Sequence, residues 1–488
     1  MTGMDGPSPS FDATHAERER FSRAALDWVL AWFNNVGTRR LYPDISADAL
    51  TAALAEPLPQ EPDDPIAVLD RFAAHVAAGS RDNGHPRMFG YVQSSGHHVG
   101  AIADFLASAL NQNVTSWRSA PAATTVERQV IGWIKQIAGF PDGGDGLLVS
   151  GGSMANLVGL AAATASASPD VARRGVRALP GDPVVYASDA VHMSVPKAAA
   201  TLGLGRDAIR RIDTDGALRM RPEALDRAII ADRAAGRLPV CVVANAGEVN
   251  TGAVDPLDEV ADVCARHCVW LHADAAYGGF AALAPSAREA FAGLGRVDSM
   301  SLDPHKWLFV PVDSGCVLVR DAAALRRAFS YSADYVDVVA AADMSEYAFW
   351  DYGPELTRRF RALKIWMTLK VYGVRAIAGA IEQNIQLARR LADLIDQSAD
   401  FERLAPVPLS IVCFKYTGGA STPADLDEFN RALMLRVQRA GHSYLSNAMI
   451  AHRFALRACL VNHRTTEDDL TALLDEIRRS ARGYSISS

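Results

Sequence analysis

The fold is indicated most clearly by two segments, Ser301-Leu302-Asp303-Pro304-His305-Lys306-Trp307 and, upstream of it, His272-Ala273-Asp274-Ala275-Ala276-Tyr277. Each stretch follows or completes a short apolar run, 268–271 and 297–302, that is typical of a buried strand. The carboxyl ends of parallel strands meet at one edge of a sheet. The sequence therefore predicts that Asp274 and Lys306 lie near each other at that edge.

This pair suits pyridoxal 5′-phosphate (PLP). The cofactor needs an amine to form an imine with its aldehyde and an anion to keep its ring nitrogen protonated. Lysine is rare in this chain, at six of the 49 basic residues, and the guanidinium group of arginine cannot form an imine. Lys306 is thus a candidate for the imine, although an isolated lysine more often serves an ion pair or the surface.

Composition argues against several classes of function. The chain has 488 residues, enough for two or three packed units, and is 49% hydrophobic and 22% charged, as soluble globular enzymes are. Its net charge of −7 gives no electrostatic reason to expect nucleic acid or an anionic membrane as a partner. Residues 1–20 lack the apolar core of a signal peptide, and apolar tracts such as 157–167 are too short to span a bilayer.

The six cysteines are scattered, at positions 241, 264, 268, 316, 413 and 459. Four of them fall in apolar, strand-like runs, where a reduced and buried thiol is expected. Cys264 and Cys268 have helical spacing around His267, but no second ligand pair accompanies them, so no metal site is expected. These features favour a reducing compartment, the cytoplasm.

The pattern along the chain divides it into three segments. Residues 1–97 contain amphipathic helices at 17–32 and 66–78 without strands, and these cannot bury their apolar faces alone. In residues 98–374 helices alternate with buried strands, which indicates an α/β domain around a mostly parallel sheet. Residues 375–488 form a smaller α+β domain. The strands expected in the middle segment are 147–149, 184–186, 240–244, 269–272, 299–302 and 316–319; a long helix is expected at 356–394, and further strands at 409–416 and 454–461.

A glycine turn, Ser150-Gly151-Gly152-Ser153, leads from an apolar strand into a helix. Backbone amides can approach an anion there, the helix N-terminus favours negative charge, and Ser153 adds a hydroxyl group. The turn lacks the lysine of a P-loop and the spacing of the dinucleotide fingerprint. It is a candidate phosphate cradle, with a purely structural tight turn as the alternative. His192 also follows a strand and could stack on a flat ring, with a structural histidine as the alternative.

Taken together, these segments resemble the group II family of PLP-dependent amino-acid decarboxylases, which includes aromatic-L-amino-acid decarboxylase and glutamate decarboxylase. The resemblance covers nearly the whole chain from about residue 20. It implies a PLP-dependent aminotransferase-like fold of type I, with a seven-stranded, mostly parallel sheet covered by helices on both faces, and a homodimer that residues 1–97 clasp. The matching segments, in family order, are 85–91, 119–127, the glycine turn, 188–192, 272–277, 303–307, 358–364 and 454–462.

The resemblance also implies roles for individual residues. Lys306 would bind PLP as an imine, Asp274 would pair with the pyridinium nitrogen, and His192 would stack on the ring. Four further residues would complete the cofactor site: Ala276 beside the ring, and Gly152, Ser153 and His305 at the phosphate. Tyr335 falls at the family's position for a loop tyrosine that reprotonates the substrate carbon, with an ordinary loop tyrosine as the alternative.

Three departures from the family pattern bear on these roles. Many relatives carry Gly-Thr-Thr where this chain has Gly247-Glu248-Val249-Asn250-Thr251-Gly252, so a hydroxyl contact to the cofactor is either missing or supplied by Asn250 or Thr251. Asp303 replaces an asparagine of the aromatic enzymes, and its charge would oppose a phosphate unless it points away. The residues after Tyr91, Val92 and Gln93, replace an aromatic residue and a proline.

The implied activity is decarboxylation of a small-molecule L-amino acid to an amine and carbon dioxide. An aromatic substrate is the first choice, and an aliphatic or acidic one stays open. Decarboxylation coupled to oxidative deamination, which yields an aldehyde, is the alternative reaction, and Tyr335 argues against it because a phenylalanine there would favour the aldehyde. A PLP-binding protein without turnover is the alternative from outside the enzymes.

Overall fold

Seven short strands in the middle of the chain form one sheet. The computed structural model describes residues 12–331, 347–418 and 423–482. The strands are β1 (Asp145–Val149), β2 (Pro183–Ser188), β3 (Ile209–Ile212), β4 (Leu238–Asn245), β5 (Trp270–Asp274), β6 (Ser299–Leu302) and β7 (Gly315–Val319). Across the sheet their order is β1-β7-β6-β5-β4-β2-β3, with parallel pairing from β6 to β3 and β7 antiparallel to both of its neighbours. The predicted seven-stranded, mostly parallel sheet is confirmed.

Helices cover both faces of this sheet, because alternate side chains of each strand point to opposite sides. Val243 of β4 belongs to a buried cluster with Leu160, whereas Val242 belongs to the larger core with Val260. The helices are α1 (His15–Asn34), α2 (Ala47–Leu54), α3 (Pro65–Arg71), α4 (His98–Leu110), α5 (Pro121–Ala138), α6 (Gly152–Ala167), α7 (Val171–Arg174), α8 (Ser194–Thr201), α9 (Pro222–Ala234), α10 (Leu257–His267), α11 (Pro304–Trp307), α12 (Ala322–Phe329), α13 (Ala362–Asp396), α14 (Pro423–Ala440) and α15 (Glu467–Ala481). Leu160 lies in α6 and Val260 in α10, so these two helices take opposite faces.

The C-terminal part of the chain builds a second, antiparallel sheet. Its strands are β8 (Phe401–Arg403), β9 (Ile411–Tyr416), β10 (Ser446–Ile450) and β11 (Arg453–Cys459), in the order β10-β11-β9-β8. A separate apolar core lies between this sheet and its helices. A capping box between Thr466 and Asp469 is present at the start of α15.

The N-terminal helices show little burial. The 20-residue α1 has no buried residue, although Trp28 stacks on Trp32 with ring centroids 5.2 Å apart and meets Phe72 edge-on. The helices predicted at 17–32 and 66–78 correspond to α1 and to α3 with the π-helical turn that continues it over Phe72–Ala77.

Strands β3, β8 and β10 were not predicted, and the predicted start of the long helix was wrong. Strand β3 was missed because Arg210 and Arg211 interrupt its apolar pattern; Arg210 pairs with Asp232 at 2.6 Å. The long helix begins at Ala362 instead of residue 356, because Arg358 is held in a loop: its amide donates to Asn113 Oδ1, and its carbonyl oxygen accepts from the Val114 amide. Gly373, with φ 74°, interrupts α13.

All six cysteines are free thiols, and only Cys268 is exposed. Within the described ranges, no helix combines the length and apolar character that crossing a membrane requires. Over the same residues, no cluster of three or more His, Cys, Asp or Glu side chains has a metal-binding arrangement.

Candidate active site

A cavity of about 370 Å³ opens at the carboxyl ends of the central strands. It is lined by residues from the glycine turn, from the loops after β2, β4 and β5, and from the turn after β6. Seven of the eight predicted site residues line it: Gly152, Ser153, His192, Asp274, Ala276, His305 and Lys306. The eighth, Tyr335, lies outside the described residues. The structure thus brings together predicted site residues that are up to 154 positions apart in the sequence, Gly152 and Lys306.

The glycine turn forms one wall of the cavity at the start of α6. A Cβ atom on Gly152 would lie 2.9 Å from both Ala276 Cβ and Asp303 Oδ2, so a side chain there would clash. Gly151, at the N-cap position, supplies no side-chain cap to the helix. The first amides of α6 and the Ser153 hydroxyl are therefore the groups that suit a phosphate here.

Asp274 lies at the end of β5 and is 7% exposed. Its Oδ2 accepts a hydrogen bond from Asn156 Nδ2 at 2.8 Å, and its Oδ1 accepts from Ser301 Oγ at 3.2 Å and from the Ala276 amide at 3.3 Å. All three donors are neutral. The carboxylate is thus fixed in place by dipoles, and its charge remains available to a cation in the cavity.

Asn156 connects Asp274 to a buried histidine. Its Nδ2 also donates to Ser194 Oγ at 2.8 Å, and its Oδ1 lies 3.0 Å from His272 Nε2. Because the Asn156 oxygen can only accept, His272 carries its proton on Nε2, and Nδ1 accepts from Ser299 Oγ at 2.8 Å. Burial lowers the pKa of His272 to about 4, so this imidazole is neutral.

The loop histidine at the cavity is held in a defined tautomer as well. His192 Nδ1 lies 2.7 Å from Ser194 Oγ and accepts from the Ser194 amide at 3.3 Å. A backbone amide can only donate, so Nδ1 is unprotonated and the neutral ring carries its proton on Nε2. Burial, together with the nearby positive charge of Lys306, lowers the pKa of His192. A neutral, flat imidazole suits contact with an aromatic ring.

Lys306 points toward its own turn. Its Nζ lies 2.9 Å from Asp303 Oδ2, and the Asp303 side chain is only 2% exposed. His305 is tied to the backbone of Ser314, with Nδ1 2.7 Å from the carbonyl oxygen and 3.2 Å from the amide. Asp303 does not point away from the glycine turn, since its carboxylate touches the Gly152 position.

The segment after β4 departs from the family pattern in a way that the structure clarifies. Gly247, Glu248 and Val249 line the cavity, but the Thr251 hydroxyl donates to the Glu248 carboxylate, which also accepts the Thr251 and Asn250 amides. The hydroxyl of Thr251 is therefore engaged inside its own loop. Asn245 also lines the cavity, and its Nδ2 donates to Ser188 Oγ at 3.0 Å.

These groups fit PLP. The cavity offers one primary amine, a buried carboxylate with neutral donors, a neutral imidazole and a helix N-terminus without side chains at its first positions. Sequence reasoning missed Asn156, Ser194, Asn245 and His272. Their pairings join residues 38 to 118 positions apart, and only the position of Asn156, one turn into α6 after the glycine turn, gave a usable signal.

Comparisons with known proteins agree with this geometry. A family model described as "Pyridoxal-dependent decarboxylase conserved domain" matches residues 48–417. An aromatic-L-amino-acid decarboxylase of Bacillus atrophaeus is 36% identical over 482 residues, with 98% of each chain covered. A 4-hydroxyphenylacetaldehyde synthase of Rhodiola rosea is 29% identical and covers 98% of this chain and 99% of its own. The crystal structure of Oryza sativa TDC with PLP and tryptamine superposes with a TM-score of 0.88 at 29% identity, over 97% of this chain and 99% of that one.

Proposed function

Since this chain belongs to the family of pyridoxal-dependent decarboxylases, we propose that its substrate is an aromatic L-amino acid, which it converts to the amine and carbon dioxide. The chain is a PLP-dependent amino-acid decarboxylase, and the proposal concerns the substrate and the residues that act on it. The observation that carries it is the convergence of Lys306, Asp274 and the glycine turn on one cavity in a chain 36% identical to an aromatic-L-amino-acid decarboxylase.

Each of these residues has one task in the proposal. PLP, when bound, accepts the electron pair that decarboxylation leaves on the substrate carbon. Lys306 supplies the amine that binds the cofactor, and Asp274 keeps a proton on the ring nitrogen, as a carboxylate held by neutral donors can. His192 would lie with its neutral imidazole against the ring, next to Ala276, and the start of α6 with Ser153 and His305 would bind the phosphate.

The charges of the cavity support an aromatic over an acidic substrate. Among the described residues that line it, Lys306 is the one lysine or arginine, and its Nζ is already paired with Asp303. A second carboxylate would therefore be buried there without a partner, at a cost of several kcal/mol. An aliphatic substrate stays open, because Val92 and Gln93 replace the family's aromatic residue and proline.

Oxidative deamination to an aldehyde is the second candidate, since an aldehyde synthase is 29% identical over nearly the whole chain. The experiment is a panel of aromatic, aliphatic and acidic L-amino acids incubated with the PLP-loaded protein, scored for amine, carbon dioxide, ammonia and peroxide. We expect amine and carbon dioxide in equal amounts from an aromatic amino acid. Equal amounts of peroxide and carbon dioxide would establish the aldehyde synthase instead, and turnover of acidic substrates alone would refute the aromatic assignment.

We infer that the working form is a homodimer. The support is the apolar surface of α1. Its residues Phe21, Leu26 and Leu30 are 39–47% exposed, and no residue of the helix is buried. Such a face needs a partner, and a second copy of this chain is the one proposed. Light scattering should give twice the 52.3 kDa of one chain, and a stable, active monomer would contradict the inference.

We also propose three domains and a location. Residues 98–374 would be the PLP-binding domain, with 1–97 as the dimer clasp and 375–488 as the small domain, and the break of α13 at Gly373 supports that second boundary. The free thiols support a reducing compartment, the cytoplasm. The net charge of −7 supports the expectation that neither nucleic acid nor a membrane is a partner. Limited proteolysis and cell fractionation test these two points.

A further inference from the structure

Asp303 is a buried carboxylate placed against the phosphate-binding turn. The residue is 1% exposed, and a Cβ atom on Gly152 would lie 2.9 Å from its Oδ2. Its Oδ1 is buried and has no hydrogen-bond partner in the structure. This oxygen lies 3.9 Å from the position that a Cβ atom on Gly151 would take, so the carboxylate faces both glycines of the turn.

The charge of Asp303 is balanced by Lys306, whose Nζ lies 2.9 Å from Oδ2. The other titratable groups around it do not replace that cation. His305 Nε2 is 3.9 Å away, and burial lowers its pKa, as it lowers that of His192. On β7, burial raises the pKa of the Cys316 thiol and keeps it neutral, and the two other acidic residues that line the cavity, Asp274 and Glu248, supply no positive charge.

Binding the cofactor disturbs this balance in two ways. When Lys306 condenses with the aldehyde of the cofactor, one water leaves and the nitrogen keeps one positive charge as a protonated imine, so this step releases no proton and Asp303 loses its ammonium partner. At the same time a phosphate, which carries close to two negative charges above neutral pH, binds at the turn that Asp303 touches. Like charges in a partly buried site repel by several kcal/mol, and the usual response is that one of the acids takes up a proton.

We propose that Asp303 makes retention of PLP depend on pH, because its carboxylate takes up one proton from solvent when the phosphate binds and Lys306 is committed to the cofactor. The proton that Asp303 gains converts its oxygen from a repelling anion into a hydrogen-bond donor. Deprotonation at higher pH restores the repulsion and favours release of the cofactor. The inference concerns the cofactor alone and does not depend on which amino acid the enzyme decarboxylates.

The test compares PLP affinity in the natural chain and in Asp303→Asn, a nearly isosteric change. The dissociation constant is measured from pH 7 to 9 by the visible absorbance of the bound cofactor, with protein first stripped of PLP. We expect Asp303→Asn to bind PLP at least about tenfold more tightly at pH 8. The advantage should grow with pH, by up to about tenfold for each pH unit, because one proton is linked to binding.

Pyridoxal, which has the aldehyde but no phosphate, is the matched probe. The gain in Asp303→Asn should be much smaller for pyridoxal, and in the natural chain PLP affinity should fall more steeply with pH than pyridoxal affinity. This second comparison needs no variant. Equal PLP affinity in the two proteins, parallel pH profiles, or the same gain with pyridoxal would overturn the proposal, while the substrate panel above would still stand.

Discussion

Asn156 Nδ2 lies 2.8 Å from Asp274 Oδ2 and joins the first turns of α6 to the end of β5. The Asn156 amide is itself oriented by His272, whose Nε2 donates to its oxygen. Among the described residues, Asp274 has no lysine or arginine within ion-pair distance. Its position is therefore fixed by neutral groups, which leaves the carboxylate charge free to act on the cofactor ring.

Asp274→Asn should lower the rate of amine formation by at least about two orders of magnitude, the scale of one lost electrostatic stabiliser. The shape of the side chain is kept and only the charge is removed. Rates are measured at saturating PLP, with occupancy checked by absorbance. Near-normal turnover with full occupancy would remove Asp274 from its role.

Tyr335→Phe should lose amine production and gain aldehyde, ammonia and peroxide when oxygen is present. Tyr335 lies in a segment rich in small and polar residues, 330–345, and its phenol is proposed to return a proton to the substrate carbon. Without that proton, the carbanion survives longer and reacts with oxygen. Product analysis in air and under nitrogen checks this. If the phenyl ring serves as well and no peroxide forms, the tyrosine is an ordinary loop residue.

Glu127 and Arg358 form an ion pair that is buried in the core. Glu127→Gln should lower the free energy of unfolding by about 3–5 kcal/mol, because it leaves Arg358 charged and without its carboxylate partner. The Arg358 guanidinium also donates to the backbone oxygens of Val114 and Leu148, next to the glycine turn. The exposed pair of Arg296 and Asp262, 2.6 Å apart, is the control, and Asp262→Asn should cost at most about 1 kcal/mol. Chemical denaturation measures the free energy of unfolding of both variants. Similar losses in the two would show that the buried pair stabilises the fold no more than the exposed pair does.

Acid should destabilise the fold as the pH falls from about 6.5 toward 4, partly through His97. Its Nδ1 accepts from the Gly100 amide, and burial lowers its pKa to about 4. Between pH 6.5 and 4 the unfolded chain therefore binds more protons at His97 than the folded chain does. The contribution of His97 to stability is complete above its pKa in the unfolded chain and is lost as the pH falls toward its pKa in the folded chain.

His97→Gln should therefore make the free energy of unfolding less dependent on pH between 6.5 and 4, by up to about 3 kcal/mol over the range. His452→Gln, at an exposed position, is the control and should leave the slope unchanged. Denaturation at several pH values measures both. An unchanged slope in His97→Gln would show that His97 is not one of the groups responsible.

The fold and the meeting of the main candidate residues at one cavity could be predicted because their signals are local. Asp274 and Lys306 follow apolar strands directly, and the glycine turn is continuous in sequence. The network of Asn156 and His272 could not be predicted, since it joins residues 116 positions apart through side chains that look ordinary in their own segments. The orientation of Asp303 was equally hidden, because a single substitution does not tell which way a carboxylate points.

The assignment of Lys306 is tested by locating the lysine that binds PLP. The loaded protein is reduced with borohydride, digested, and mapped by mass spectrometry, alongside Lys306→Ala and, as a control, the exposed Lys370→Ala. We predict that the label lies on Lys306 in the natural chain and in Lys370→Ala, and that Lys306→Ala carries none and shows no turnover. A label on another lysine, or a Lys306→Ala protein that still binds PLP covalently and produces amine, would contradict the assignment of Lys306.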